Sequence, residues 1–255
     1  MERIIVKDNL EYKVNGNFAS LSFEVVSNKE VSLFVSDFEC LEELNFEVQD
    51  GATLHLSMFA KKLINSLKIT ANIGENSKII VHFADFTIEK NHLDASINLN
   101  KYNACAEWHL ASLSTLKDDK EIAVSIYHNS SDTHGRIDNY GVCKDNSKLI
   151  FSGISHILKG CHRSTSHQNA KIVVFDNDCK AIAKPILKID ENDIEASHAA
   201  VVGKVSDEHI FYLTSRGLSE EEAKMLITLG YLKPILKGFD EAKANEINEL
   251  IEGRL

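Results

Sequence analysis

The chain has 255 residues, 44% of them hydrophobic, enough for one large domain or a domain with an appendage whose core needs no staple. Its 28 Lys+Arg against 38 Asp+Glu give a net charge of −10, which argues against a phosphate-neutralising surface and therefore against a nucleic-acid partner. Five cysteines, Cys40, Cys105, Cys143, Cys161 and Cys179, are widely spaced with no CxxC pair, which speaks against both a disulfide framework and a zinc ribbon.

At the N-terminus the apolar stretch 4–6 is cut off by Lys7 and Asp8, too short for a signal peptide. No later run approaches the roughly 20 apolar residues of a membrane span. A soluble, cytoplasmic chain is expected. From about Ala19 onward short β-rich runs follow one another, at 31–35, 53–59, 67–73, 78–83, 96–100, 106–113, 122–127, 148–151, 171–175 and 181–189. Ile122, Val124 and Ile126 alternate with Ala123 and Ser125, the period of a half-buried strand. Turn-like clusters separate the runs at the roughly 8–12-residue spacing of sandwiches, barrels and solenoids.

A solenoid is the favoured reading, with a β-sandwich as the alternative. The segment 72–77, Asn-Ile-Gly-Glu-Asn-Ser, has the small polar corner that lets one strand stack on the next. Cys143, Cys161 and Cys179 are evenly spaced, which fits one coil per interval. Trp108 and Cys105 read as core, and His55, His82, His92 and His109 as residues on or beside strands.

After Gly203 the pattern turns helical. Ser219 and Glu222 form a capping-box candidate, followed by Ala223, Leu226, Ile227 and Gly230 at helical spacing. A second helix is expected to start at Asp240, bury Ile247, Leu250 and Ile251 and stop near Gly253, with Pro234 and Gly238 between the two helices. The division expected is a β-helix core over 1–203 and a helical region over 204–255, the latter covering the open end of the solenoid.

No GxxxxGK[ST], GxGxxG, HExxH or GxSxG motif is present, so nucleotide is not expected to bind this chain. The densest polar group is His128, Asp132, His134, Cys143, His156, Cys161, His162 and His167, with His198 further on. Imidazole and thiolate together suit iron, zinc or copper. The spacing matches no closed metal site, and solvated histidines with small buried cysteines are the plainer alternative.

The segment 193–230, DIEASHAAVVGKVSDEHIFYLTSRGLSEEEAKMLITLG, resembles the C-terminal signature of the SufB/SufD family of iron–sulfur cluster assembly proteins; His198, Gly203, Asp207, Glu208, Phe211, Tyr212, Leu213, Ser215, Arg216, Gly217 and Ala223 carry the match. The stretches 128–136, 151–153, 159–160 and 166–169 are similar to the β-helix coils that precede it. This resemblance implies a right-handed parallel β-helix and a scaffold subunit that is not itself an enzyme. It also implies a SufC-type ABC ATPase partner docked on the C-terminal helices, and a homodimer or a heterodimer with a SufB-like subunit. A transient iron–sulfur cluster would be assembled at the dimer interface.

Carried over by position, the family's histidine falls on His198, a possible cluster or interface ligand. The SufB-type cysteine falls on Ala170 or Asn169, the glutamate after the histidine on Ala199, and the cysteine of some SufD proteins on Ala196. None of these replacements can accept sulfur, so Cys161 and Cys179 are the candidates for a relocated thiol. The partner-binding residues implied are Phe211, Tyr212, Arg216, Gly217, Ser219 and Glu222. A β-helical carbohydrate-active enzyme and a degenerate structural paralogue without cluster binding stay open as alternatives.

Overall fold

A computed structural model describes residues 2–14, 19–62 and 66–254. One sheet stacks β1 (Glu2–Val6), β3 (Ser20–Val25), β5 (Glu43–Val48), β7 (Ser66–Ile73), β9 (Lys90–Leu99), β11 (Asp119–His128), β13 (Lys148–Ile157) and β15 (Lys180–Ile189) in that order. The other stacks β2 (Leu10–Lys13), β4 (Glu30–Ser36), β6 (Thr53–Ala60), β8 (Lys78–Asp85), β10 (Cys105–Ser114), β12 (His134–Cys143), β14 (Ser164–Val174) and β16 (Ile194–Lys204). The described pairings are all parallel, and the chain alternates between the sheets, so each coil adds one strand to each sheet. This is the expected β-solenoid.

Strand alternation sets what is inside. In β9 the side chains of Asn91, Leu93, Ala95, Ile97 and Leu99 are buried, while Lys90, His92 and Asp94 face out. Corners are made by residues that tolerate a left-handed backbone: Asn28, Asn76, Asn103, Asp132 and Asp145 all have positive φ. At the 72–77 corner, a Cβ on Gly74 would lie 2.5 Å from Asp50 Oδ1 and 2.9 Å from the Val48 carbonyl, so only glycine fits between stacked turns.

A coil is longer than the interval between those cysteines, and its length is not constant. Leu10 pairs with Leu33 and Thr53 with Lys78, whereas Cys105 pairs with His134 and His134 with Thr165, so the stretch of chain between stacked residues grows. Strands lengthen along the chain, from 4–7 residues in β1–β4 to 10–11 in β9–β16, while the connections between them stay short, so the three evenly spaced cysteines do not share a position in successive coils. β1, β2, β3, β5, β12 and β16 were not among the expected strands. In β12, HGRIDNYGVC, pairing with β10 and β14 outweighs the poor strand propensity of its Gly, Asp and Asn residues. Its glycines answer close approaches, since a Cβ on Gly135 would meet His128 Nε2 at 2.8 Å.

Three helices follow, α1 (Asp207–Thr214), α2 (Glu220–Leu236) and α3 (Glu241–Glu252). The capping box is present: Ser219 Oγ accepts from the Glu222 amide (3.1 Å) and the Ser219 amide donates to Glu222 Oε2 (2.7 Å). α3 begins on Asp240, whose carboxylate accepts from the Lys243 amide (2.9 Å), and buries Ile247 and Ile251 before its C-cap at Gly253. Pro234 lies inside the last turn of α2 rather than between the helices, because the helix runs on to bury Leu232 and Ile235. Leu226, expected on the buried face, is exposed; Ala223, Thr228, Leu232 and Ile235 form that face instead.

The helices do not cover the open end of the solenoid. α2 and α3 lie against the outer face of the second sheet, where Leu232, Ile235, Ile247 and Ile251 pack with Phe59, Ala84, Phe86, Ala111, Leu113, Val142 and Val173. The physical reason is visible in the strands: β6, β8 and β10 end in runs buried on both faces, so the outer face there needs a cover. Arg254 pins the far end, donating to the carbonyls of Phe86 (3.0 Å) and Thr87 (3.2 Å) and to Thr115 Oγ1 (2.8 Å), and pairing with Asp118. Beside it, fully buried Lys120 donates to Asp85 Oδ2 (3.1 Å) and to the Leu113 carbonyl (2.8 Å). Among the described residues no helix is long and apolar enough to cross a membrane.

Candidate functional site

β16 closes its sheet, bonded to β14 on one side with the other edge free. Leu33, Leu56, Val81, Trp108, Ile137, Gln168 and His198 form one row in register across successive strands, and all but His198 are buried. His198 therefore continues the inward-facing row into a coil that nothing in the described chain covers, and it is exposed. Ala196 and Ala200 occupy the same face of β16 on either side of it.

Beneath His198 the interior is polar. Gln168 Nε2 donates to Ser155 Oγ (2.7 Å) and to the Ile186 carbonyl (3.0 Å), while its Oε1 has no protein partner. Gly153 makes room for that oxygen, since a Cβ there would lie 2.8 Å from it. Asn139 Oδ1, Ser166 Oγ and His128 Nε2 are likewise buried without a partner. His128 is held through Nδ1 by Thr133 Oγ1 (2.8 Å), and burial, assisted by the nearby His134, pushes its pKa down to about 4. Sequence patterning missed this lining because Gly, Ser, Asn and Gln at alternate positions look like an outward face.

The other residues of the His/Cys group are scattered. His134 binds Thr165 Oγ1 and His167 binds Ser197 Oγ, both at 2.8 Å, on the outer face of the second sheet. His156 bonds to Asp190 (3.1 Å), His162 lies 3.4 Å from Glu191, and Asp132 is paired with Arg163 (2.8 Å). Cys161 is buried in the turn before β14, its Sγ donating to the His128 carbonyl (3.2 Å); burial pushes the thiol up. Cys179 is half-buried in the turn beyond β14, with Sγ 3.4 Å from the Asp145 carbonyl. The two thiols thus flank opposite ends of the strand that carries Gln168. Among the described residues no three His, Cys, Asp or Glu side chains converge as a metal-holding group.

Asn169 and Ala199, two of the carried-over positions, are direct partners in the β14–β16 pairing, and Ala170 is buried. Asn169 donates to the Tyr140 hydroxyl (3.2 Å). On the helical side α1 buries none of its residues; Phe211 is 73% exposed and Tyr212 57%. Arg216 lies over the Tyr212 ring at 5.2 Å, and Gly217 turns the chain with φ +97° into the Ser219–Glu222 cap. Phe211, Tyr212, Arg216, Gly217, Ser219 and Glu222 therefore lie on one continuous α1–α2 segment.

Comparison with known proteins bears on these features. A family model described as SUF system FeS cluster assembly, SufBD core domain, matches residues 21–231. The iron–sulfur cluster assembly protein SufD of Bacillus subtilis is 36% identical over 117 residues, 46% of this chain and 27% of that protein. SufBD family proteins of Staphylococcus saprophyticus and Mycobacterium leprae are 31% and 32% identical over 133 residues, 52% of this chain and 29% and 15% of theirs. The aligned region thus spans less than a third of each of these relatives. With the matched region reaching from β3 into α2, the chain belongs to the SufBD core family of the SUF iron–sulfur cluster assembly system.

Proposed function

We propose that this chain is a SufD-like scaffold subunit of iron–sulfur cluster assembly, not an enzyme in its own right, with ATP hydrolysis supplied by a SufC-type ABC ATPase. The observation that carries the reading is His198, exposed at the uncovered end of the interior row, on a strand with a free edge. The cluster is cargo, held transiently. One imidazole cannot hold it alone, so the remaining donors come from a second subunit, another copy of this chain or a SufB-like protein, docked against the free edges of β15 and β16. Cys161 and Cys179 are secondary candidates for sulfur handling; the raised pKa of Cys161 disfavours the thiolate that would accept sulfur. The cytoplasm, where such thiols stay reduced, suits this chemistry.

The ATPase docks on the exposed aromatic face of α1 and the cap of α2, through Phe211, Tyr212, Arg216, Gly217, Ser219 and Glu222. An α-helix that buries nothing in its own chain and shows two large aromatic rings supports this assignment. Anaerobic reconstitution with iron, sulfide and both partner proteins tests the site. His198→Ala is expected to lose cluster absorbance with its far-UV spectrum and partner binding intact; full cluster yield would remove His198 from the site. Phe211→Asp is expected to lose co-purification with the ATPase, and unchanged binding would send the docking surface elsewhere.

A further inference from the structure

Two cysteines, Cys143 and the secondary sulfur-handling candidate Cys179, border the same corner of the solenoid. Cys143 is the last residue of β12, and Cys179 immediately precedes β15. The Cys143 sulfur lies 3.4 Å from the Ser147 carbonyl and 3.2 Å from Ser147 Oγ; the Cys179 sulfur lies 3.4 Å from the Asp145 carbonyl, in the same 144–147 turn. The Lys180 amide, next to Cys179, donates to the Ser147 carbonyl (2.9 Å) and approaches the Cys143 sulfur. Negative charge on Cys179 would raise the Cys143 pKa further, which places the two side chains within electrostatic reach of each other. Cys143 is fully buried, whereas Cys179 is half-buried.

We propose that Cys143 and Cys179 form a redox-active dithiol that a low-molecular-weight disulfide converts to an intramolecular disulfide. Cys179 loses its proton to solvent and its thiolate attacks one sulfur of R–S–S–R, forming a mixed disulfide and releasing RS⁻. Cys143 then gives up its proton and attacks the Cys179 sulfur, releasing the second RS⁻. The balance is two thiols oxidised to one disulfide, and R–S–S–R reduced to two R–SH with the two released protons. The accessible thiol enters first and the buried one resolves. Burial pushes the Cys143 thiol up to about 12, so the resolving step is slow and speeds up with rising pH. The bond ties the β12–β13 turn to the β14–β15 turn, next to the coil that carries His198. Nothing in this depends on cluster assembly.

The test treats the full-length reduced chain with oxidised glutathione and follows intact mass and a peptide map. The wild type is expected to pass through a glutathione adduct on Cys179 and end with a Cys143–Cys179 bond, two hydrogens lighter, with Tm raised by several degrees. Cys143→Ser is expected to stop at the Cys179 adduct. Cys179→Ser is expected to form neither adduct nor bond at this corner. A wild type that keeps a stable Cys179 adduct, or in which both thiols stay free while Cys179 reacts with an alkylating reagent, overturns the proposal. So does a bond from Cys179 to another cysteine. Cys179 is only half-buried, so its serine variant remains readable if Cys143→Ser fails to fold.

Discussion

The early and late coils of the solenoid are built to different rules. In the early coils the interior is apolar and aromatic: Phe23 stacks on Phe46 at 5.6 Å and 11°, and Tyr12 meets Phe23 edge-on. In the late coils the same inward positions hold Ser155, Ser166, Gln168, Asn139 and His128, several with an unpaired atom. The early half spends its interior on stability. The late half gives up part of that stability for polar groups leading to an uncovered end, the pattern expected where function competes with packing.

The largest expected effect lies in the early half. Phe46→Ala should cost about 3–5 kcal/mol of unfolding free energy in urea, by transfer and cavity terms together. A cost under about 1 kcal/mol would mean that the contrast between the halves is not energetic. His128 gives the next test. Its folded pKa near 4 lies below the unfolded value of about 6.5, so the unfolded chain takes up the proton first as pH falls. Its neutral form is therefore compatible with full stability above about pH 6.5, and stability should drop by roughly 3 kcal/mol as pH falls to about 4. His128→Gln should flatten that part of the pH profile.

Gln168→Leu should cost less, about 1–2 kcal/mol in the same denaturation, because it loses two hydrogen bonds but also removes an orphaned oxygen. A larger loss would mean that the polar interior stabilises the late coils rather than loosening them. The smallest effect is expected outside both halves, at the α2 cap. Ser219→Ala should lower the unfolding free energy by about 1 kcal/mol and leave the solenoid's hydrogen-exchange protection unchanged.

Sequence patterning reached the strand-rich core, the α2 capping box and the buried face of α3, because each rests on a local rule: alternation, a Ser–Glu pair at capping distance, or apolar spacing of one helical turn. Coil length was not legible. The strands grow while they hold register, so no fixed period exists in the chain to be found, and three evenly spaced cysteines imitated one. The seat of the helices was also missed. Their apolar faces say only that something is covered, and the choice between the end and the side lies in the strands, where β6, β8 and β10 are apolar on both faces at one end. Of the candidate site, the placement of His198 in an inward row needed the register from β4 to β16, which no local pattern encodes.

Lengthening coils also limit how this chain can be altered. In a solenoid of equal repeats a coil can be copied or removed and its neighbours still match. Here the stretch from Leu10 to its partner Leu33 is shorter than the stretch from His134 to its partner Thr165, so a transplanted coil would bring strands of the wrong length to both of its neighbours. Each coil fits only at its own level. The molecule is stacked like a repeat protein, but as a substrate for recombination it behaves as a single indivisible piece.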